Sequence, residues 1–176
     1  ISNSLGDYRG LFLLDGQVQK SIPDLTRAIS DSPNSAYLYL SRATAYAASQ
    51  KLEAAEEDCL RALELAPDLV PAKLLMARLL SAVGKFSNAI PLLEEVQRKA
   101  PEEKEVYPLL AVAYINIQQY AKAIQSMRRL LAVDPDAMVA YYYMGVVYGN
   151  YLKQPQMALQ MYRKILARDP RNISVY

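Results

Sequence analysis

PEEKEVYPLLAVAYINIQQYAKAIQSMRRLLAVDP, residues 101–135, is the stretch whose reading decides the fold. It opens and closes on a proline, and between them lie two apolar-periodic runs, 106–117 and 120–134, joined by a short polar turn. Each run is long enough for three or four helical turns, and the pattern repeats every three or four residues rather than every two. Ala111 and Ala123 stand twelve apart, one in each run. Small residues at two fixed places let two antiparallel helices cross with close backbones.

Outward from this unit the pattern recurs. Pro33, Pro67, Pro101, Pro135 and Pro170 are separated by 34, 34, 34 and 35 residues, each in a short polar break. Proline lacks the N–H a continuing helix needs, so each one ends a helix and begins a link. The alanine pairs Ala43/Ala55 and Ala77/Ala89 repeat the spacing of Ala111/Ala123, and Gly145/Ala158 follows one residue late, with the insertion placed in 149–156. Larger residues hold fixed offsets: Tyr46, Leu80, Tyr114 and Tyr148 in the first helices, then Cys59, Leu93, Met127 and Tyr162 in the second. Generic amphipathic helices would show apolar periodicity but no phase lock of prolines and small residues across 34 residues.

This combination resembles the tetratricopeptide repeat, a 34-residue helix–turn–helix with an alanine in its second helix and a closing proline. The resemblance covers essentially the whole chain. It implies an all-α, right-handed superhelical solenoid of about five antiparallel hairpins, one domain over 1–176. The repeats fall at about 2–35, 36–69, 70–103, 104–137 and 138–172, with 173–176 the start of a truncated sixth. Tyr176 lies 35 residues after Tyr141, no polar capping helix follows, and solenoids usually need one, so the parent protein is expected to be longer. Apolar residues of the last helix, such as Leu159 and Ile165, are then expected to be partly exposed, or covered by a neighbouring molecule or by the short tail 173–176. The first unit fits least well, with Arg9 beside Gly10 where a small residue belongs. Tyr39, Tyr107 and Tyr141 stand at the family's tryptophan place, with Lys73 in the third unit. Pro23 and Pro91 occupy equivalent places in second helices and are read as local bends.

Composition removes several function classes. With 20 basic and 18 acidic residues there is no global field to draw in nucleic acid, and the strict interval of 34 departs from the 35-residue, strongly basic RNA-binding hairpin repeats. There is no histidine, hence no zinc ligand set, no histidine base, and no Gly-rich phosphate loop or hydrolase motif; no cofactor is expected and the chain is not read as an enzyme. Cys59 has no histidine partner and sits at a core place, which favours a packed, inert thiol; a lone cysteine fits reducing and oxidising compartments alike. The cluster Glu53, Glu56, Glu57 and Asp58 reads as a solvated helix face. No apolar run approaches the roughly 20 residues of a membrane span, and Ile1-Ser2-Asn3-Ser4 carries no signal-peptide pattern. The bacterial cell envelope and the cytoplasm both accommodate such a chain. Second helices grade from acidic (51–66, five acids and two bases) to basic (153–169, four bases and one acid), a pattern of solvated convex faces, of a charge-guided partner or of lengthwise self-association.

Second helices are amphipathic, with Lys122, Gln125, Arg128 and Arg129 marking a wet stripe on 120–134; the first-helix runs 106–117 and 139–151 carry no charge at all. A helix apolar all round is either buried on all sides or a contact surface. In the family that these repeats resemble, first helices line the concave wall where partners bind. Carried over residue by residue, the inward places are Tyr37, Leu40, Ser41 and Thr44; Leu74, Leu75 and Arg78; Leu109, Val112 and Asn116; and Tyr142, Tyr143, Val146 and Asn150. The expected function is a protein–protein interaction scaffold that takes an apolar or amphipathic segment in this groove. The alternative is an assembly module whose groove is filled by its own flanking segment or by a second copy. Family members that clamp acidic chaperone termini use paired Lys and Asn at set first-helix places. The three windows here, Gly6/Gly10 with Ser41 and Pro71/Leu75, Leu40/Thr44 with Leu75 and Glu105/Leu109, and Leu74/Arg78 with Leu109 and Val139/Tyr143, hold no such set.

Overall fold

The computed structural model describes residues 17–169, with side chains from residue 21. Every regular element among them is helical: α1 (Gln17–Asp31), α2 (Ala36–Ala48), α3 (Leu52–Leu65), α4 (Val70–Ala82), α5 (Phe86–Lys99), α6 (Val106–Asn116), α7 (Tyr120–Val133), α8 (Met138–Val146) with a π-helical turn (Val147–Tyr151) at its end, and α9 (Pro155–Arg168). Arg9 and Gly10, the residues of the first clamp window Gly6/Gly10, and the expected start of a sixth unit at 173–176 lie outside the described residues. The chain divides into two compact units, residues 1–92 and 93–176, with the division inside α5. In the first unit α2 packs on α1, α3 and α4; in the second α8 packs on α6, α7 and α9, and α6 packs on α7.

The closing prolines have a more specific job than ending helices. Around four of them the carbonyl before the proline accepts a hydrogen bond from the N–H three residues on. The pairs are Ser35 N to Ser32 O (3.3 Å), Leu69 N to Ala66 O (3.1 Å), Glu103 N to Ala100 O (3.0 Å) and Ala137 N to Asp134 O (3.1 Å). Each proline is therefore the second residue of a β-turn, where its fixed φ is already correct.

A second turn closes each hairpin. Lys51, Lys85 and Gln119 donate their N–H to the carbonyls of Tyr46, Leu80 and Tyr114, five residues back, at 2.8–2.9 Å, and the residue before each bonds three back. This is the Schellman arrangement, and it requires a left-handed residue in the middle. Gln50 (φ 61°), Gly84 (φ 78°), Gln118 (φ 62°) and Lys153 (φ 55°) supply it, only one of them a glycine. In the last hairpin the equivalent bond runs from Gln154 N to Tyr148 O at 2.7 Å, six residues back, and Leu152 N reaches Val147 O at 3.0 Å. The one-residue insertion is thus wound into the π turn, and the closing bond beyond it spans one residue more than in the other hairpins.

At the helix crossings all the paired alanines are buried: Ala43, Ala55, Ala77, Ala89 and Ala111 at 0% exposure, Ala123 at 1%. The fifth hairpin shows which residues meet. A Cβ on Gly145 would stand 2.8 Å from Cζ of Tyr162, and a Cβ on Gly149 would stand 3.3 Å from that of Ala158. The small first-helix residue therefore faces the large second-helix residue, and the second-helix alanine faces a residue one turn further along the first helix. Pro23 and Pro91 lie inside α1 and α5, both exposed, and the helices continue through them.

The two residues of the last helix differ in their cover. Leu159 is 43% exposed, whereas Ile165 is buried at 2%. Ile165 lies two turns from Ala158, also buried, on the stripe of α9 that packs on α8; Leu159 is a hundred degrees round from that stripe.

The left-handed glutamine gives a stability prediction. Gln118→Gly should raise the free energy of unfolding by about 0.5–1 kcal/mol, the relief of left-handed strain net of the extra freedom of the unfolded glycine. Denaturant titration checks it, with the exposed helical position Gln125→Gly as the opposite control, which should destabilise by about 1 kcal/mol.

Candidate partner-binding surfaces

The expected inward residues fall into two sets, one in each unit. In the first unit Tyr37 is 68% exposed and Leu40 and Thr44 are half-buried. The hydroxyls of Ser41 and Thr44 donate back to the Tyr37 and Leu40 carbonyls at 2.8 and 2.9 Å. On α4, Leu74 and Leu75 are buried at 5% and 6%, and Arg78 is half-buried. These two leucines serve the core more than the surface; Leu75 belongs to a cluster with Ala47, Ala62, Ala72 and Leu79.

In the second unit the charge-free α6 is buried nearly all round, Val106, Tyr107 and every residue from Leu109 to Ile115 included. Of the two meanings of an all-apolar helix, α6 carries the first: its missing wet stripe reflects burial, and Leu109 and Val112 lie beneath the surface. Helix α8 differs. Val146 is buried, but Tyr142 is 37% exposed and Val139 40% exposed. The rings of Tyr142 and Tyr143 meet edge to face, centroids 5.7 Å apart at 73°, the geometry that ring quadrupoles favour. Burial, and next the neighbouring Tyr142, push the Tyr143 phenol above its ordinary range, so it stays a neutral donor. Asn116 and Asn150 are exposed at the ends of their helices. Asn116 Nδ2 donates to the Val112 carbonyl at 2.9 Å.

One expectation about chemistry is corrected. Asp58 is not part of a solvated face: it is 6% exposed and accepts two hydrogen bonds from Arg42, Nε to Oδ2 and Nη2 to Oδ1, each 2.7 Å. Arg42 also donates to Thr26 Oγ1 at 3.1 Å and lies 5.9 and 5.8 Å from the ring centroids of Tyr39 and Tyr46. The hydrogen bonds to Asp58 hold its guanidinium more firmly protonated than usual. The cause of the misreading is a one-residue rotation: Glu57 and Asp58 are adjacent in sequence but a hundred degrees apart on α3, and only Glu57 faces water. Cys59, one residue on, is fully buried; burial raises its thiol to about 12, and Sγ lies 3.1 Å from the Ala72 carbonyl. A thiol so held stays protonated and is a poor nucleophile.

The tyrosines at the family's tryptophan place are tied down. Tyr107 Oη donates to the carbonyl of the closing Pro101 at 2.6 Å, and Lys164 and Arg168 lie 5.1 and 5.3 Å from the Tyr141 ring. Lys73, which replaces the aromatic, is buried with its ammonium 3.4 Å from Asp68. One feature was not foreseen from the sequence. A cavity of about 210 Å³ opens between α7 and α9 over α8, lined by Met144, Met157 and Met161 with Tyr141 and Tyr148, and flanked by Arg128 and Lys164. Its signal was present in three methionines of one hairpin, Met144 on α8 and Met157 and Met161 four apart on α9, but methionine at helical spacing reads first as core. Among the described residues no group of three or more metal-ligating side chains could hold an ion, and no helix is long and apolar enough to cross a membrane.

Antiparallel helical hairpins repeating at 34 residues, with a β-turn proline between them, define a helical repeat solenoid. Three tetratricopeptide-repeat family models match residues 12–70, 80–144 and 139–172, and the chain belongs to that family. Among curated proteins it is similar to mouse interferon-induced protein with tetratricopeptide repeats 2, at 34% identity over 91 residues, 51% of this chain and 19% of that one. It is also similar to bacteriophage adsorption protein A of Escherichia coli K12, at 30% identity over 124 residues, 70% of this chain and 12% of that protein. The chain thus spans less than a fifth of the length of these relatives. Among solved structures, MamA of Desulfovibrio magneticus RS-1 superposes with a TM-score of 0.83 at 20% identity, covering 97% of this chain and 99% of that one. YrrB, described as a TPR protein with an unusual peptide-binding site, gives 0.78 at 16% identity, covering 96% and 87%. Family and fold together support a protein-interaction scaffold.

The Arg42–Asp58 pair yields a test. The equivalent places in the next hairpin are Met76 and Leu92. Arg42→Met alone should destabilise by about 3 kcal/mol because it strands a buried carboxylate. Arg42→Met with Asp58→Leu should return to within about 1 kcal/mol of the parent, since apolar replacement of a whole buried pair is often neutral. Denaturant unfolding of the three proteins reads both outcomes.

Proposed function

We propose that the chain binds an apolar or amphipathic segment of another protein on its first-helix wall, with the α8 tyrosines as anchors. The observation that carries this reading is the exposed Tyr142, set edge to face with Tyr143 on a helix without charge. A pre-packed aromatic pair offers area and two phenol hydrogen bonds at low entropy cost, and tyrosine is among the commonest hot-spot types. The exposed Asn116, Asn150 and Val139 add amides and further apolar area to the first helices. Leu109, Val112 and Val146 act from below, fixing the backbone on which the anchors stand. In the first unit Tyr37, Leu40, Ser41 and Thr44 form the corresponding α2 surface, over Leu74, Leu75 and Arg78. The similarity to YrrB, a TPR protein with a peptide-binding site, supports a peptide-like ligand for this fold.

Panning a phage-displayed random peptide library against the folded chain tests it. Enriched peptides should be apolar or amphipathic. Tyr142→Ala with Tyr143→Ala should weaken them at least tenfold, about 1.4 kcal/mol, with helical content preserved. Arg128→Ala, on the side of α7 facing the methionine cavity, should leave their affinity unchanged. Equal binding by the double tyrosine variant would refute the assignment.

A further inference from the structure

The methionine cavity of the second unit has a basic rim, and a stripe on α3 of the first carries an exposed leucine among carboxylates. The cavity holds about 210 Å³; a cavity of roughly 150 Å³ already accepts a benzene, so a leucine side chain fits. Its floor is Met144 and Met161, flexible side chains that adapt to an inserted group, and its rim carries Arg128 and Lys164. The two helices that form its sides contain no acidic residue: α7 carries Lys122, Arg128 and Arg129, and α9 carries Arg163, Lys164 and Arg168. Nothing on these helices neutralises the rim.

Helix α3 shows the converse. Glu53, Glu57, Leu60 and Glu64 follow at spacings of four, three and four, one stripe of a helix. All four are exposed, and Leu60, at 50%, is an apolar knob standing between carboxylates. Glu64 pairs with Arg61 at 2.8 Å, both in water, where such a pair is weak and easily exchanged. A leucine so placed leaves half its surface to water, and the surrounding charges keep it from random apolar contacts.

We infer that the chain self-associates, α3 of one copy docking on the second unit of another, with Leu60 entering the methionine cavity and Glu57 and Glu64 meeting Lys164 and Arg128. The contact joins two different surfaces. After one contact each copy still offers a free stripe or a free cavity, so association proceeds by addition rather than stopping at a symmetric dimer. Opposed charges accelerate encounter and fix which surfaces meet, and salt weakens them.

Light scattering and sedimentation over a concentration series test this with the chain as it stands. Mean mass should rise with concentration at low ionic strength and fall back in molar salt, where screening acts within about 3 Å. Leu60→Ser should raise the dissociation constant at least tenfold. Glu57→Lys with Glu64→Lys, and separately Arg128→Glu with Lys164→Glu, should each stay monomeric on their own and associate when mixed, because the reversed faces then match. Circular dichroism establishes that each variant is folded. A parent chain that stays monomeric at every concentration would overturn the inference. So would reversed variants that associate as the parent does, or folded reversed variants that fail to associate when mixed. Tyr142→Ala with Tyr143→Ala should leave self-association intact, which separates this contact from peptide binding on the first-helix wall.

Discussion

Everything in this protein hangs on how closely two antiparallel helices approach within a hairpin. No helix with a described N-cap has a side-chain capping bond, and helices of nine to fifteen residues are marginal alone in water. Packing must supply their stability, and packing at short range demands a small residue wherever backbones cross. The alanines at the crossings are fully buried for that reason. The fifth hairpin shows the rule as a complementarity of volumes: the largest second-helix residue at its place, Tyr162, faces the smallest first-helix residue, Gly145.

Two kinds of turn then keep the hairpins in phase. The proline β-turn sets the link between hairpins and the Schellman turn sets the reversal within each. Both are defined by backbone hydrogen bonds, so they tolerate varied side chains. The last hairpin makes the point. An added residue is absorbed upstream as a π turn, and the bond to the Tyr148 carbonyl survives with a longer loop. Where a hairpin departs from the pattern it does so on its sides. One pair of interior places holds Arg42 and Asp58 instead of an apolar pair, and α3 and the α7–α9 face carry opposite charges, which gives each unit a surface character without disturbing the crossings.

Much of this was legible in the sequence because its causes are periodic. The prolines and the paired alanines marked the second to fifth hairpins, and the runs 106–117 and 120–134 end within a residue of α6 and α7. What was not legible is what depends on rotation about a helix axis or on neighbours far along the chain. Asp58 read as solvated because its sequence neighbours are; one residue of rotation turns it inward to Arg42. The glutamines at left-handed φ gave no glycine to read. The bare apolar character of α6 could mean burial or contact, and only packing decides for burial. Of the proposed first-helix wall, the sequence could not say that Leu74, Leu75, Leu109, Val112 and Val146 lie buried while Tyr37, Tyr142 and the two asparagines stand out.

The volume rule at the crossing is most directly tested by a double-mutant cycle on Gly145 and Tyr162. In an ordinary helix glycine to alanine stabilises by about 1 kcal/mol. Here Gly145→Ala should instead destabilise, because its Cβ falls against the Tyr162 ring. In the background of Tyr162→Met, the residue type that Met127 supplies in the preceding hairpin, the same change should become stabilising. The coupling between the two positions should exceed about 1 kcal/mol, within the range measured for residues in contact. If Gly145→Ala stabilises the parent chain by its helix propensity alone, and the two substitutions add without coupling, the crossing is not what fixes these residues and the account fails.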